Sequence, residues 1–296
     1  MKTRTKALIG FGIYIGIIVI VVALTGWSRS DNTEFKPQNE FKLDTLFSIG
    51  PWHVNKAHLY ILAAAILMCG TMIYVARRMQ QRPNKVQTLI EVLFGVMRDN
   101  ITRGNMPDKM AARWFPFIGA LFLFIWFSNL IGYIPLPTNV EHKVDIFGAQ
   151  IPAFALYAAT ANLAVPLALA LVVWVLYNGA GIKQKGLRGY LKSFIPAGVP
   201  GGMRPFIFML EFFSNFMRLI SLSVRLFANI LAGHLIILFM AGALAVILGI
   251  AGLGVITLPF SIVLFMFEVG LVATLQAFIF ATLTAIYLGG AVAEGH

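Results

Sequence analysis

Charge is what this sequence has least of. Asp, Glu, Lys and Arg supply 12% of its 296 residues, while 59% are hydrophobic and the mean hydropathy is +0.82. A soluble domain carries about 25% charged residues, so a water-coated globule of this length is excluded and lipid must be the solvent. Cysteine is almost missing. Cys69 stands alone within an apolar run, which excludes an internal disulfide and any cysteine-based metal cluster and leaves a small buried hydrophobe as its reading. No phosphate-binding glycine loop, Ser–His–Asp set or metal-ligand spacing occurs, so no cofactor is expected and nucleotide chemistry belongs to some other chain. His53, His58, His142 and His296 sit at or beyond the ends of apolar runs, as interfacial or solvated groups. The net charge is +11. Because the basic residues cluster at the ends of apolar runs, they are read as setting membrane topology, not as binding nucleic acid.

What is abundant is long apolar sequence. Residues 7–26 form a run of 20, enough to cross a hydrocarbon core of about 30 Å. Lys2, Arg4 and Lys6 precede it and no clean Ala-x-Ala site follows, which favours a retained anchor over a cleaved signal segment. Residues 27–57 are expected outside the membrane. Further spans are predicted at about 58–76, 114–134 and 152–177, with a short loop at 135–151 and a Gly-rich basic loop at 178–204. Residues 84–101, which include Glu91, carry one apolar face and are read as a helix lying on the membrane surface. Two apolar segments, 206–248 and 255–290, finish the chain. Segments 1–6, 77–113 and 178–204 hold 3, 8 and 5 Lys and Arg, against 4 and 1 in 27–57 and 134–151. The basic side is cytoplasmic by the positive-inside rule. The expectation is an all-α integral membrane protein of about six membrane helices ending in a long tilted helical hairpin, with its C-terminus cytoplasmic. Residues 1–57 form the anchor and loop, and 58–296 the membrane domain.

The chemistry should lie in that hairpin. Across 206–290 the charged residues are Glu211, Arg218, Arg225 and Glu268, joined by His234. A charge at bilayer depth costs at least about 2.5–3.5 kcal/mol on insertion scales, which makes each a candidate functional group. The competing reading is a charge neutralised by a neighbouring helix to hold a bundle together. For Arg218, near a span end, the two readings balance; for Arg225, deep in apolar sequence, function is favoured. Glu211, Arg218 and Arg225 recur every seven residues and so share one helix face, on which Ser221 and Asn229 flank Arg225. At 1.5 Å per residue, Glu211 lies about 21 Å to one side of Arg225 and His234 about 13 Å to the other. An antiparallel hairpin with Arg225 level with Gln276 sets His234 beside Glu268 and puts the turn near residue 250, within the flexible Gly249–Gly254 stretch. Titratable groups near both surfaces, with a fixed cation between them, suit two offset half-channels. A guanidinium does not deprotonate, so it relays no proton itself but can hold a passing carboxylate ionised.

These residues resemble a known family. Ser221-Leu-Ser-Val-Arg-Leu-Phe-Ala-Asn-Ile-Leu-Ala-Gly-His234 is similar to the Arg-Leu-Phe-(Gly/Ala)-Asn signature of F-type ATP synthase subunit a, the proton-channel subunit of the F0 sector. Leu275–Tyr287 resembles that family's last-helix signature. Phe124–Pro135 resembles its Asn-Leu-x-Gly-x-x-Pro motif, and Thr160–Ala164 a further one. The resemblance implies that Arg225 faces a carboxylate of the c-subunit ring, with Asn229 and Gln276 lining that interface. It implies Glu211 in the cytoplasmic half-channel and His234 in the outer one. The partners implied are the c-ring, b-type stator subunits and lipid, with H+ transported and Na+ less expected, in a bacterial plasma membrane. The chain itself would catalyse no reaction. Two departures stand out. Glu268 precedes Gln276 by eight residues where the family has seven, a rotation of about 100° on an ideal helix, and the 7–26 span is additional. The alternatives are an independent ion channel or secondary transporter, and a purely structural membrane scaffold.

Overall fold

The computed structural model describes residues 45–49, 52–146, 149–196, 198–240 and 251–292, together with Gly16 and Ile20. Apart from Gly16 and Ile20 the 7–26 span falls outside these described residues, as do residues 241–250, where the hairpin turn was expected to begin. Two antiparallel strands, β1 (Thr45–Ile49) and β2 (Trp52–Asn55), lead into helix α1 (Lys56–Arg77). Then come α2 (Lys85–Gly95), a π-helical stretch (Val96–Arg103), α3 (Asp108–Ile131), the hairpin β3 (Leu136–Ile146) and β4 (Ala149–Ala155), and α4 (Ala164–Lys192). The chain finishes with α5 (Arg204–Leu238), α6 (Ala251–Phe267), a π turn (Glu268–Val272) and α7 (Ala273–Val292). Five described helices are long and apolar enough to cross a membrane.

Local chemistry accounts for the helix starts. Asn55 caps α1, its Oδ1 accepting the His58 backbone N–H at 3.3 Å while His58 Nδ1 accepts the Asn55 N–H at 3.4 Å. Asn84 caps α2 through the Gln87 N–H at 2.8 Å. Pro107 precedes α3, and Asp108 in the first turn favours the helix dipole.

Several expectations are corrected. The predicted loop at 135–151 is a β-hairpin. The fourth span begins at Ala164, not 152, because residues 152–155 pair as a strand. The predicted basic loop is helical as far as Lys192, broken only at Gly186, whose φ of 70° is a left-handed conformation that glycine adopts without penalty. Cys69 is exposed on α1 rather than buried. In a lipid solvent this is ordinary, as α1 also exposes Leu62 and Ile66.

The chain divides into two compact units, one of residues 43–231 with 272–296, the other containing Ala232–Leu271. In the larger, α3 packs against α1 and α7, and α4 against α7. Ile118, Phe122 and Ile125 of α3 are at most 1% exposed. A polar clasp crosses this core. Asn129 Nδ2 donates to the Ala273 carbonyl at 3.1 Å, Thr160 Oγ1 donates to Asn129 Oδ1 at 2.8 Å, and Trp126 Nε1 donates to Thr274 Oγ1 at 3.0 Å. Two of the motifs singled out by resemblance thus meet on one amide. Gly132 is required beside it, since a Cβ there would overlap Ala158. Asn129→Leu leaves the buried Thr160 hydroxyl without its acceptor, and is expected to cost about 1–3 kcal/mol, read as a lowered melting temperature of the solubilised protein.

Candidate functional site

α5 is amphipathic in a way that divides packing from chemistry. Leu219, Leu222, Leu226 and Ile230, spaced at three or four residues, form its buried seam. Ser221, Arg225, Ala228 and Asn229 are exposed on another face. Arg225 therefore projects from the chain, and among the described residues nothing pairs with its guanidinium. At 35 residues α5 measures about 52 Å, well over the hydrocarbon thickness, so it must tilt, bend or run partly along the membrane.

The other predicted residues fall into separate places. Within the larger unit, Glu211 and Arg218 form an ion pair, Nη2 to Oε1 at 2.9 Å, and the Arg218 guanidinium lies 5.4 Å from the centre of the Tyr287 ring. Both side chains of the pair are more than a third exposed, which limits its stabilisation to about 1 kcal/mol or less. Gln276 is 5% exposed, on the packed side of α7 rather than on an open face. Within the smaller unit, His234 is buried, and the neighbouring Gly233 has the Glu268 carboxylate directly against its Cα: a Cβ at 233 would overlap both carboxylate oxygens. That contact matches the hairpin register expected from sequence. The helix is also not ideal where the eight-residue interval begins. Glu268–Val272 is a π turn, bonded i to i+5, and such a turn takes up one residue more than an α turn.

Sequence reasoning missed a buried polar network on α5. Asn215 Oδ1 accepts from Tyr177 Oη (2.5 Å), its backbone carbonyl accepts from Trp174 Nε1 (3.1 Å), and its Nδ2 donates to Asn178 Oδ1 (2.9 Å). Tyr190 Oη donates to Asn178 Oδ1 at 2.8 Å. Asn215 sits four residues from Glu211 and three from Arg218, so this network fixes the turn of α5 that carries both. The only available signal was one Asn in an apolar helix opposite a Tyr-Asn pair.

The fold and this face define a class: a multi-pass helical membrane protein that presents a fixed cation on a helix surface left exposed by the described residues. Comparison with known proteins narrows it. Residues 58–289 match the ATP synthase A chain family. ATP synthase subunit a of Bradyrhizobium diazoefficiens is 34% identical over 273 residues, covering 88% of this chain and 98% of its own. Those of Maricaulis maris and Rubrobacter xylanophilus are each 33% identical, over 89% and 79% of this chain and 95% and 83% of their own lengths. This chain belongs to the ATP synthase A chain family. It is a multi-pass membrane component of ATP synthesis and ion transport, assembled with other subunits of the synthase.

Proposed function

We propose that this chain is the stationary half of the proton path in the F0 sector, offering two offset half-channels to a rotating ring of c subunits. One observation carries the reading: Arg225 is exposed on an apolar helix without a partner among the described residues. A cation facing hydrocarbon is costly, so the face that bears it is built to meet a negative group on another subunit. Ser221, Ala228 and Asn229 keep that face small and polar enough for close approach.

A ring carboxylate reaching Arg225 is held ionised by the guanidinium and so gives up its proton on approach. After passing, it leaves the cation and is reprotonated. Glu211, with Arg218, serves the cytoplasmic path; His234 and Glu268 serve the outer one. Arg225 also blocks a direct leak between the two, because a proton does not pass through a guanidinium. The chain holds no nucleotide chemistry of its own; b-type subunits anchor it as stator in a bacterial plasma membrane, and the ion is H+.

The test compares proteoliposomes holding the complete synthase with ones holding this chain alone, each given an imposed pH gradient and a pH-sensitive dye. The complete synthase is expected to pump on addition of ATP, and the chain alone to conduct nothing comparable. Proton or solute flux through the chain alone would overturn the reading in favour of an independent channel or transporter.

A further inference from the structure

The Glu211–Arg218 pair is seven residues long on one helix, two full turns, so both side chains must extend toward each other to meet. Something has to hold Arg218 in that pose, and the structure supplies it. Its guanidinium rests over the ring of Tyr287, from α7, within cation–π range. The Tyr287 ring in turn packs against the Tyr177 ring, with centroids 5.7 Å apart. Tyr177 is itself fixed by Asn215, one turn from Arg218 on α5. Among the described residues, the charged and titratable groups around Arg218 are thus Glu211 on its own helix, Tyr287 on α7, and Tyr177 and Tyr190 on α4. Glu211 is the one anion among them, and Arg218 is the group that decides where its carboxylate points.

We infer that Arg218, seated on Tyr287, is a positioning residue that holds the Glu211 carboxylate in the proton path. The inference rests on the proposed role of Glu211 as the cytoplasmic half-channel acid. Arg218 carries no proton. It presents Nη2 to Oε1, leaving the other carboxylate oxygen to exchange a proton with water or the ring. Tyr287 contributes its ring face, not its hydroxyl, so the hydroxyl is dispensable and the ring is not.

The test uses the complete synthase in inverted membrane vesicles, with ATP-driven pumping normalised to assembled complex. Arg218→Gln and Tyr287→Leu are each expected to lower pumping by about tenfold, whereas Arg218→Lys and Tyr287→Phe, which keep the cation and the ring, stay within about threefold of the parent. In a Glu211→Gln background, Arg218→Gln is expected to add no further loss, since the two act as one unit. A merely structural Arg218 would change the amount of complex and not the rate per complex. Full pumping by Arg218→Gln, or equal losses in Tyr287→Phe and Tyr287→Leu, overturns the inference. Full pumping by Glu211→Gln would instead remove the half-channel reading beneath it.

Discussion

Arg225→Ala is expected to leave the synthase assembled and hydrolysing ATP while its coupled proton pumping falls by about three orders of magnitude. The figure follows from the attraction between a guanidinium and a carboxylate at about 4 Å, roughly 4 kcal/mol at an effective dielectric of 20, with each 1.36 kcal/mol worth a factor of ten in rate. Assembly survives because the side chain makes no bond to the described residues and stands apart from the buried seam of Leu222, Leu226 and Ile230. Arg225→Lys is expected to recover part of the loss only. A compact ammonium keeps a charge but sheds its proton more readily in an apolar setting and offers no fork to a carboxylate. Dye quenching in inverted vesicles, with ATP hydrolysis as the assembly control, reads all three proteins.

Gly233→Val has the second largest expected effect. The Glu268 carboxylate occupies the space that any Cβ at 233 would need, so even Ala intrudes and Val must displace the acid or part the two helices. Overpacking of this kind typically costs about 1–3 kcal/mol, and moving the acid interrupts the outer path. Pumping per assembled complex is expected to drop by about tenfold for Ala and by a hundredfold or so for Val. Shortening the acid in Gly233→Ala/Glu268→Asp is expected to restore part of the rate, because the contact is one of volume. A Gly233→Val synthase that pumps at the parental rate would show that the carboxylate does not need its seat on α5.

Much of this architecture was legible in the residues because lipid permits so few solutions. Scarcity of charge, apolar runs of span length and basic residues at their ends predicted the helices, and α1 and the last apolar segment appear close to the expected bounds. The seven-residue spacing of Glu211, Arg218 and Arg225 was legible as a face, though not that Glu211 and Arg218 bond to each other while Arg225 makes no bond to the described residues. The hairpin register, set by matching Arg225 with Gln276, reappears in the Gly233–Glu268 contact.

What was not legible depended on partners distant in sequence. The strands at 136–155 read as a loop and the start of a span because their pairing is a tertiary fact, with Pro137 and Pro152 both inside the paired stretches and proline arguing against strand. Asn215 drew no attention in the sequence, because Tyr177, Trp174 and Asn178 reach it only in the fold. Gln276 was expected on the open interface, yet α7 turns it into the packed side. The π turn at Glu268 is the clearest case. An extra residue in a helix is read from sequence as a rotation of everything beyond it, because only the backbone can reveal that a single turn has taken it up.

The central claim is that the Ser221–Arg225–Asn229 face meets the moving carboxylates. Cysteine cross-linking in the assembled synthase measures this directly, pairing single cysteines on α5 with one placed a helical turn from the ring carboxylate. Cysteines at 221, 228 and 229 are expected to form disulfides with the ring, and those at 222, 226 and 230 to form none. Cross-links from the buried seam instead of the exposed face would contradict the account.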